Sequence, residues 1–220
     1  MWAHTKESQD KITPQIALQY LKEGNMRFLK NLKADRDLLK QVNQTSEGQF
    51  PFAAILSCID SRTSAELIFD QGLGDIFSIR IAGNILNKDI LGSMEYACSI
   101  ANSKIIVVLG HTKCGAITSA CNNTRAGNLT AMLKKIKPAI KLEKSTGFNR
   151  NGDNIEFVNK VSRLNIDHSI QQIRRQSNIL YQLEQKGKIM IVGAMYDIDT
   201  GAVTFFDEEN DFRRRQYTSL

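Results

Sequence analysis

Short, continuously apolar runs alternate along the first half of the chain with segments that have helical spacing. The apolar runs are FAAILSC at 52–58, DIFSIRIA at 75–82 and KIIVVLG at 104–110. Helical segments follow them near 63–71, near 89–101 and from about 113. Continuous rather than alternating apolar runs are typical of parallel strands that are covered by helices on both faces. The pattern therefore predicts an α/β fold with a mostly parallel central β-sheet.

The C-terminal half adds further helices and two more strands. Residues 127–186 are polar and predicted to be helical, with a loop at 145–154. Apolar runs at 188–197 and 202–207 flank a short turn that contains Gly201, and such a turn permits a hairpin. We therefore predict about four parallel strands and one antiparallel strand at the C-terminal edge, flanked by helices.

The N-terminal segment predicts a helix that precedes the sheet. Thr13 is suited to an N-cap and Pro14 to the first helical position, and apolar residues then recur at helical spacing. With 220 residues, of which 42% are hydrophobic, the chain is long enough for one well-packed domain. We predict that residues 1–50 form an N-terminal helical arm of this domain and that residues 51–220 form its α/β part, in which the candidate chemistry described below lies.

The distribution of charged and apolar residues argues against nucleic acid and membranes as partners. The formal net charge is +6, but the basic residues are dispersed, as on solvated helix faces, apart from a basic tail at 213–215, so no nucleic-acid partner is predicted. No run of about 18 apolar residues occurs, so no membrane association is predicted. The chain as given has no apolar leader, which makes the cytoplasm the default compartment and the periplasm the expected one if a leader has been removed.

The four cysteines are better explained by reduced or metal-bound thiols than by disulfides, because a chain of this length needs no covalent staples. Cys98 and Cys121 lie within helical patterns and are predicted to be core thiols. Cys58 and Cys114 each follow an apolar strand instead, and these two carry the candidate chemistry.

Two segments with metal-binding and ionisable side chains are predicted at the carboxyl ends of strands, where ligands of such sheets bind. Cys58, Asp60 and Arg62 follow the first strand, and His111 and Cys114 follow the third. Two thiols and one imidazole suit a tetrahedral Zn²⁺ site, whose fourth position is filled either by the Asp60 carboxylate or by water. If Arg62 holds Asp60 in a bidentate pair, the fourth position is left to water.

Four segments, CIDSR, AELIFDQGLGDIFSIRIAGN, GSMEYA and GHTKCGAI, resemble the β-class carbonic anhydrases, and the likeness runs from about residue 13 to 207. The resemblance implies a zinc lyase that hydrates CO₂ reversibly to bicarbonate and a proton. It implies one Zn²⁺ per subunit on Cys58, His111 and Cys114, and a zinc-bound hydroxide that is oriented by Asp60 and Arg62. Asp60 is also the family's alternative metal ligand.

The resemblance further implies a substrate pocket and a partner subunit. The pocket positions fall on Gln49, Phe77, Ala82, Tyr96 and Gly115. In the family, the residue at Gln49 crosses a dimer interface to reach bicarbonate, so we expect the active site at the interface of a homodimer at least, or of a homotetramer.

A second family feature is matched only in part. Some relatives bind regulatory bicarbonate at a Trp, an Arg and a Tyr; Arg80 and Tyr196 match the last two, but Ile55 stands where the Trp is expected. We therefore expect weak bicarbonate inhibition at most.

Two other functions remain open at this point. A carbonyl sulfide or carbon disulfide hydrolase would use the same scaffold and metal. A non-catalytic, zinc-stabilised binding domain would close its metal with Asp60 at every pH and unfold when the metal is removed.

Overall fold

A five-stranded sheet forms the centre of the computed structural model, which describes residues 3–206. The strands are β1 (Ala53–Ser57), β2 (Ile76–Arg80), β3 (Ile105–His111), β4 (Met190–Tyr196) and β5 (Val203–Phe206). Their order across the sheet is β2-β1-β3-β4-β5. β2, β1, β3 and β4 pair in parallel, and β5 pairs antiparallel to β4. The predicted α/β fold with an antiparallel edge strand is confirmed, while residue 207 and the basic tail at 213–215 lie outside the described residues.

The helices lie before, between and after the strands. They are α1 (Lys6–Asp10), α2 (Pro14–Leu29), α3 (Leu38–Gln44), α4 (Ala65–Ile68), α5 (Lys88–Glu95), α6 (Gly115–Cys121), α7 (Gly127–Leu133), α8 (Lys137–Leu142), α9 (Ile155–Gln176) and α10 (Asn178–Gln185). A 3₁₀ turn spans Ala82–Asn84, and a π-helical turn, Tyr96–Ile100, continues α5. None of the helices in the described part of the chain combines the length and the apolar character that crossing a bilayer requires.

Each face of the sheet is covered by its own set of helices. Leu21 of α2 and Ile68 of α4 belong to the same buried cluster as Ile55 of β1 on one face. On the other face, Leu56 of β1 clusters with Met94 of α5 and with residues of α9 and α10. Every residue of β1 and β3 is buried, which explains why these strands read as continuous apolar runs.

The N-terminal helix begins where its capping residues predict. The Thr13 hydroxyl accepts a hydrogen bond from the Ile16 amide, and Pro14 occupies the first turn. Ala17 and Leu21 of α2 are fully buried against the rest of the same chain. The short helices α1 and α3, which were not predicted, are also part of the N-terminal segment.

The helix after β1 is shorter than the predicted 63–71. α4 covers only Ala65–Ile68, and Asp70 just beyond it has a φ of 43°. The Asp70 carboxylate is paired with Arg27 and with Arg36, both far away in the sequence. These contacts stabilise a backbone conformation that ends the helix, and no local pattern in the sequence reveals them.

Candidate metal centre

The turn that follows β1 places Cys58 and Asp60 beyond the carboxyl end of the sheet. Two side chains donate hydrogen bonds to the backbone carbonyl oxygens of this turn. The Thr63 hydroxyl donates to the carbonyl oxygens of Cys58 (3.2 Å) and Asp60 (2.9 Å). The Arg80 guanidinium donates to the same two carbonyl oxygens, at 3.1 and 2.7 Å. The direction in which Cys58 and Asp60 leave the strand is therefore held from two sides.

The second loop, which follows β3, places His111 and Cys114 beside this turn. β1 and β3 are paired neighbours, with Ser57 opposite Leu109, so their carboxyl ends lie side by side. His111 is the last residue of β3, and Cys114 precedes α6 as its N-cap residue. This arrangement agrees with the prediction that the segment from Cys58 to Arg62 and the segment from His111 to Cys114 lie at the same end of the sheet.

The side chains of Cys58, His111 and Cys114 converge in a buried cluster. Their sulfur and nitrogen atoms lie within 4.8 Å of one another, and the two Sγ atoms are 3.9 Å apart. The Gly83 amide donates to the Cys58 Sγ at 3.3 Å. Gly83 has a φ of 69°, a left-handed conformation that favours glycine, and it brings this amide to the sulfur.

His111 is oriented by its own neighbour in the chain. Its Nδ1 lies 2.9 Å from the Thr112 carbonyl oxygen, which can only accept, so the proton is on Nδ1 and the Nε2 lone pair is free. Nε2 is buried and has no hydrogen-bond partner among the described residues. A lone pair directed toward two thiols is what a thiophilic cation such as Zn²⁺ requires, so the donor set fits this metal.

The two thiols of the cluster differ in acidity. The pKa of the Cys58 thiol is lowered, chiefly because the Cys114 thiol hydrogen-bonds to it, and also by the Gly83 amide; burial opposes the shift. The pKa of Cys114 is raised by the same contact and by burial. The two sulfurs thus face each other at hydrogen-bond distance, and a cation bound between them would displace a thiol proton.

The other two cysteines have the properties of core thiols, as predicted. Both are buried, and neither belongs to the metal-type cluster. Burial raises the pKa of Cys98 to about 12 and that of Cys121 to about 11. Both thiols are thus protonated at neutral pH and chemically inert.

Asp60 lies next to the cluster but is turned toward Arg62. Its carboxylate accepts hydrogen bonds from the Arg62 amide (3.0 Å), Nε (2.9 Å) and Nη2 (2.8 Å). Its Oδ2 is 3.9 Å from the His111 Nε2. The bidentate pair with Arg62 holds the pKa of Asp60 well below its usual range, so the carboxylate is ionised. The sequence left two orientations open for Asp60, one on the metal and one paired with Arg62. In the structure, Asp60 is paired with Arg62.

Of the expected pocket residues, two lie near the cluster. Ala82 is adjacent to Gly83, whose amide contacts Cys58, and Gly115 is adjacent to Cys114. A Cβ built on Gly115 would have no neighbour within 4 Å, so the backbone beside the cluster is open on this side.

The other three pocket residues are not brought to the cluster of the same chain. Gln49 is exposed and precedes β1, so that the whole strand separates it from Cys58. Phe77 pairs in register with Ala54, four positions before Cys58, which corresponds to roughly 13 Å along the strand. Tyr96 contacts Phe77, with ring centroids 6.2 Å apart. These residues can serve a metal site only if that site belongs to another copy of the chain.

The two residues of the partial regulatory site are engaged in the fold. Arg80 donates to the carbonyl groups of the turn after β1, and the Tyr196 carbonyl accepts from the Thr112 amide. Ile55 is fully buried in β1. A role of Arg80 and Tyr196 in bicarbonate regulation stays a prediction.

Sequence reasoning missed the residues that support the cluster. Thr63, Gly83 and Thr112 contact the ligand residues through a hydroxyl, an amide and a carbonyl. Glycine and threonine are common in loops, so their residue types do not indicate a supporting role. Thr63 and Thr112 are close to Cys58 and His111 along the chain, which is the only signal the sequence offers for them. Gly83 is 25 positions from Cys58 and has no such signal.

Comparisons with known proteins agree on one family. A family model described as carbonic anhydrase matches residues 53–203. The chain is 32% identical over 200 residues to Carbonic anhydrase 2 of Mycobacterium tuberculosis, covering 88% of this chain and 93% of that protein. A homologue from Mycolicibacterium smegmatis, also a carbonic anhydrase, is 32% identical over 197 residues, or 86% of this chain and 92% of that one.

Solved structures with the same fold are β-carbonic anhydrases. The structure of the β-carbonic anhydrase CcaA has a TM-score of 0.70 at 25% identity and covers 88% of this chain and 96% of its own. A structure from a pair of tetrameric β-carbonic anhydrases of Sordaria macrospora has a TM-score of 0.65 at 22% identity, over 76% of this chain and 89% of that one. At the latter identity the likeness concerns the fold alone.

Proposed function

Because this chain belongs to the β-class carbonic anhydrase family, we propose that it hydrates CO₂ reversibly at a Zn²⁺ ion held by Cys58, His111 and Cys114. Family membership makes the protein a carbonic anhydrase, that is, a lyase.

The observation that carries the metal site is the unpaired Nε2 of His111 beside two thiols. A buried imidazole nitrogen without a partner costs free energy, of the order of 1–3 kcal/mol for a neutral polar group. A cation bound by this nitrogen and the two sulfurs removes that cost. The set of two cysteines and one histidine also leaves one coordination position open, as is typical of catalytic rather than structural zinc sites.

Zn²⁺ bound there would act as a Lewis acid that brings the pKa of water toward about 7 and so supplies hydroxide at neutral pH. Asp60 accepts the hydrogen bond of the attacking hydroxide and thereby directs an oxygen lone pair toward the carbon of CO₂. Arg62 keeps Asp60 ionised and in place through its two guanidinium contacts. The pocket residue Ala82 adds a small apolar surface that suits an apolar substrate.

A second subunit is part of this proposal. Gln49, Phe77 and Tyr96 lie away from the cluster of their own chain, so we infer that they line the site of a neighbouring copy in a homodimer or a larger homo-oligomer. In that arrangement the Gln49 amide donates to the developing bicarbonate oxygen. The two Sordaria macrospora enzymes that share this fold are tetrameric.

The experiment combines a metal analysis with stopped-flow CO₂ hydration on the same preparation, over a range of pH. Cys58→Ser is the test variant and Cys98→Ala is its matched control, because both remove a buried thiol but only Cys58 belongs to the cluster. We expect about one zinc per chain and CO₂ hydration in the unchanged protein and in Cys98→Ala. Cys58→Ser should lose both.

Metal and activity that survive Cys58→Ser in a folded protein would contradict the ligand assignment. Headspace assays with CO₂ and with carbonyl sulfide distinguish the substrates; turnover of carbonyl sulfide in the absence of CO₂ hydration would overturn the proposed reaction and favour the hydrolase alternative.

A further inference from the structure

We propose that Thr112 is a positioning residue, whose hydroxyl fastens the loop carrying two metal ligands to the turn between β4 and β5. The inference rests on the metal site proposed above and adds to it a support outside the ligands themselves. The segment His111–Cys114 is called the ligand loop here, and residues 197–201 are called the hairpin turn.

Thr112 faces the metal cluster with its backbone. Its carbonyl oxygen holds the Nδ1 of His111 at 2.9 Å and thereby sets both the tautomer and the direction of Nε2. The next residue, Lys113, has a φ of 53°, a conformation that residues other than glycine adopt only where neighbouring contacts hold it. Cys114 follows at once, so any movement of Thr112 is passed to both ligands of this loop.

Thr112 faces the hairpin with its amide and its hydroxyl. The Thr112 amide donates to the Tyr196 carbonyl oxygen at 3.0 Å, which extends the pairing of β3 with β4 by one residue. The Thr112 hydroxyl accepts from the Ile198 amide at 3.1 Å. The second contact is made by a side chain, so it depends on the residue type at position 112, whereas the first does not.

The hairpin turn is a firm support rather than a loose loop. The Asp197 carboxylate accepts from the amides of Asp199 (2.8 Å) and Thr200 (3.1 Å), and the Gly201 amide donates to the Asp197 carbonyl. The base of the turn is also held from α2. Asn25 is buried there, and it accepts from the amide of residue 203 while donating to the Gly201 carbonyl.

A second contact crosses from the ligand loop to the hairpin turn, but it is less suited to position the ligands. The Lys113 Nζ lies 2.7 Å from the Asp199 Oδ1, and the two side chains are 44% and 59% exposed. Exposed ion pairs are screened by water and salt and contribute little. The Ile198 amide, in contrast, belongs to a residue that packs against the core, where an unpaired donor is costly. Of the two side-chain contacts between the ligand loop and the hairpin turn, the hydroxyl contact is therefore the one suited to position the ligands.

Partners that orient a metal-binding histidine change metal affinity when they are removed, typically by about 10- to 100-fold. Thr112→Val keeps the shape of the side chain but leaves the Ile198 amide without its acceptor. Thr112→Ser keeps the hydroxyl. Asp199→Asn removes the exposed ion pair but keeps Thr112.

The test measures Co²⁺ affinity by titration against a competing chelator, followed by the thiolate-to-cobalt charge-transfer absorption. Thr112→Val should bind Co²⁺ about 10- to 100-fold more weakly than the unchanged protein. Thr112→Ser and Asp199→Asn should stay close to the unchanged protein. Unchanged affinity in a folded Thr112→Val protein, or an equal loss in Thr112→Ser, would overturn the proposal.

A second measurement needs no variant and covers the case in which Thr112→Val fails to fold. If the hydroxyl contact favours metal binding, then metal binding must favour the contact by the same factor. Adding Zn²⁺ to the metal-free protein should therefore slow hydrogen exchange of the Ile198 amide by about 10- to 100-fold. The amide of Val203, which is bonded to Asn25, is the internal control and should change less. Equal exchange of the Ile198 amide with and without metal would refute the role of Thr112.

Failure of the proposed function has a different signature. The unchanged protein would then bind no stoichiometric Co²⁺ or Zn²⁺ through its thiols, whereas failure of the Thr112 inference alone leaves that binding intact.

Discussion

In the proposed mechanism, the direction of the Asp60 carboxylate governs the chemistry that the metal cluster can perform. Asp60 lies within reach of His111 on one side and of Arg62 on the other, and three hydrogen bonds from Arg62 hold it on the latter side. In the proposed mechanism, this orientation leaves one coordination position of the metal to water. Arg62 would then act on the reaction through Asp60 and not by contact with the cluster.

The first prediction is that the Asp60→Asn protein keeps its zinc and loses most of its CO₂ hydration activity. An amide in place of the carboxylate cannot form the bidentate pair with Arg62, so it no longer holds the hydroxide in line with the carbon of CO₂, and such misplacement can lower the rate by about 10²-fold. Stopped-flow hydration and zinc analysis of one sample measure both properties. Full activity in a zinc-loaded Asp60→Asn protein would show that this carboxylate does not orient the nucleophile.

At the scale of structural elements, a buried ion cluster joins α2, the segment before α3 and the end of α4. Asp70 is only 7% exposed and is paired with Arg27 and Arg36, and the Ala34 amide donates to the same carboxylate. Burial alone would raise the pKa of Asp70, but these hydrogen bonds outweigh it and the pKa lies below its ordinary value. The cluster therefore fastens the N-terminal helices to the catalytic part.

The second prediction is that Asp70→Asn lowers the free energy of unfolding by about 3 kcal/mol, since it removes the buried negative charge with which both arginines pair. Denaturant titrations at pH 7 measure this loss. The control is Asp10→Asn, whose pair with Lys6 is largely exposed and should cost less than about 1 kcal/mol.

The pH dependence of stability follows from the sign of the same pKa shift. A depressed pKa means that the unfolded chain binds the proton more readily, so the contribution of Asp70 is complete above a pH of about 5 and is lost as the pH falls through and below about 4. Between about pH 5 and pH 3, Asp70→Asn should thus lose less stability than the unchanged protein. Parallel curves for the two proteins would contradict this role of Asp70.

In the whole molecule, three of the expected pocket residues lie away from the metal cluster of their own chain, since Gln49 and Phe77 are separated from Cys58 along the strands and Tyr96 contacts Phe77. The third prediction is that the active site is completed by a partner subunit. Gln49→Ala should lower CO₂ hydration by about 10²-fold, as removal of a single hydrogen-bond donor to a developing oxyanion does.

A mixing experiment tests the origin of Gln49 directly. A heterodimer of Asp60→Asn and Gln49→Ala chains contains one site with both groups intact only if Gln49 serves the partner. Refolding the two weakly active variants together should therefore restore a substantial part of the activity. If the mixture is no more active than its two components, Gln49 does not act across the interface.

The fourth prediction is that removal of the metal abolishes activity but leaves the protein folded. Two large apolar clusters lie on the faces of the sheet, away from Cys58 and Cys114, and they do not depend on the metal. Circular dichroism and a thermal melt of the chelator-treated protein measure this. Complete unfolding on chelation would instead favour a zinc-stabilised binding domain.

Much of the fold is local information that the sequence carries by itself. Buried parallel strands must be apolar at every position, so β1 and β3 were recognisable, and Thr13 with Pro14 marked the start of α2. The types of the candidate metal ligands were also readable, because thiols and an imidazole at strand ends have few other uses.

Tertiary structure decided what depends on contacts between distant segments. The sequence does not reveal that β1 lies between β2 and β3, because a parallel connection can place the next strand on either side, yet this order brings Cys58 to His111. The end of α4 at Asp70 depends on two distant arginines. The separation of Phe77 and Gln49 from their own cluster, and the contact of Thr112 with Ile198, likewise appear only once strand register is known, since they arise between residues far apart along the chain.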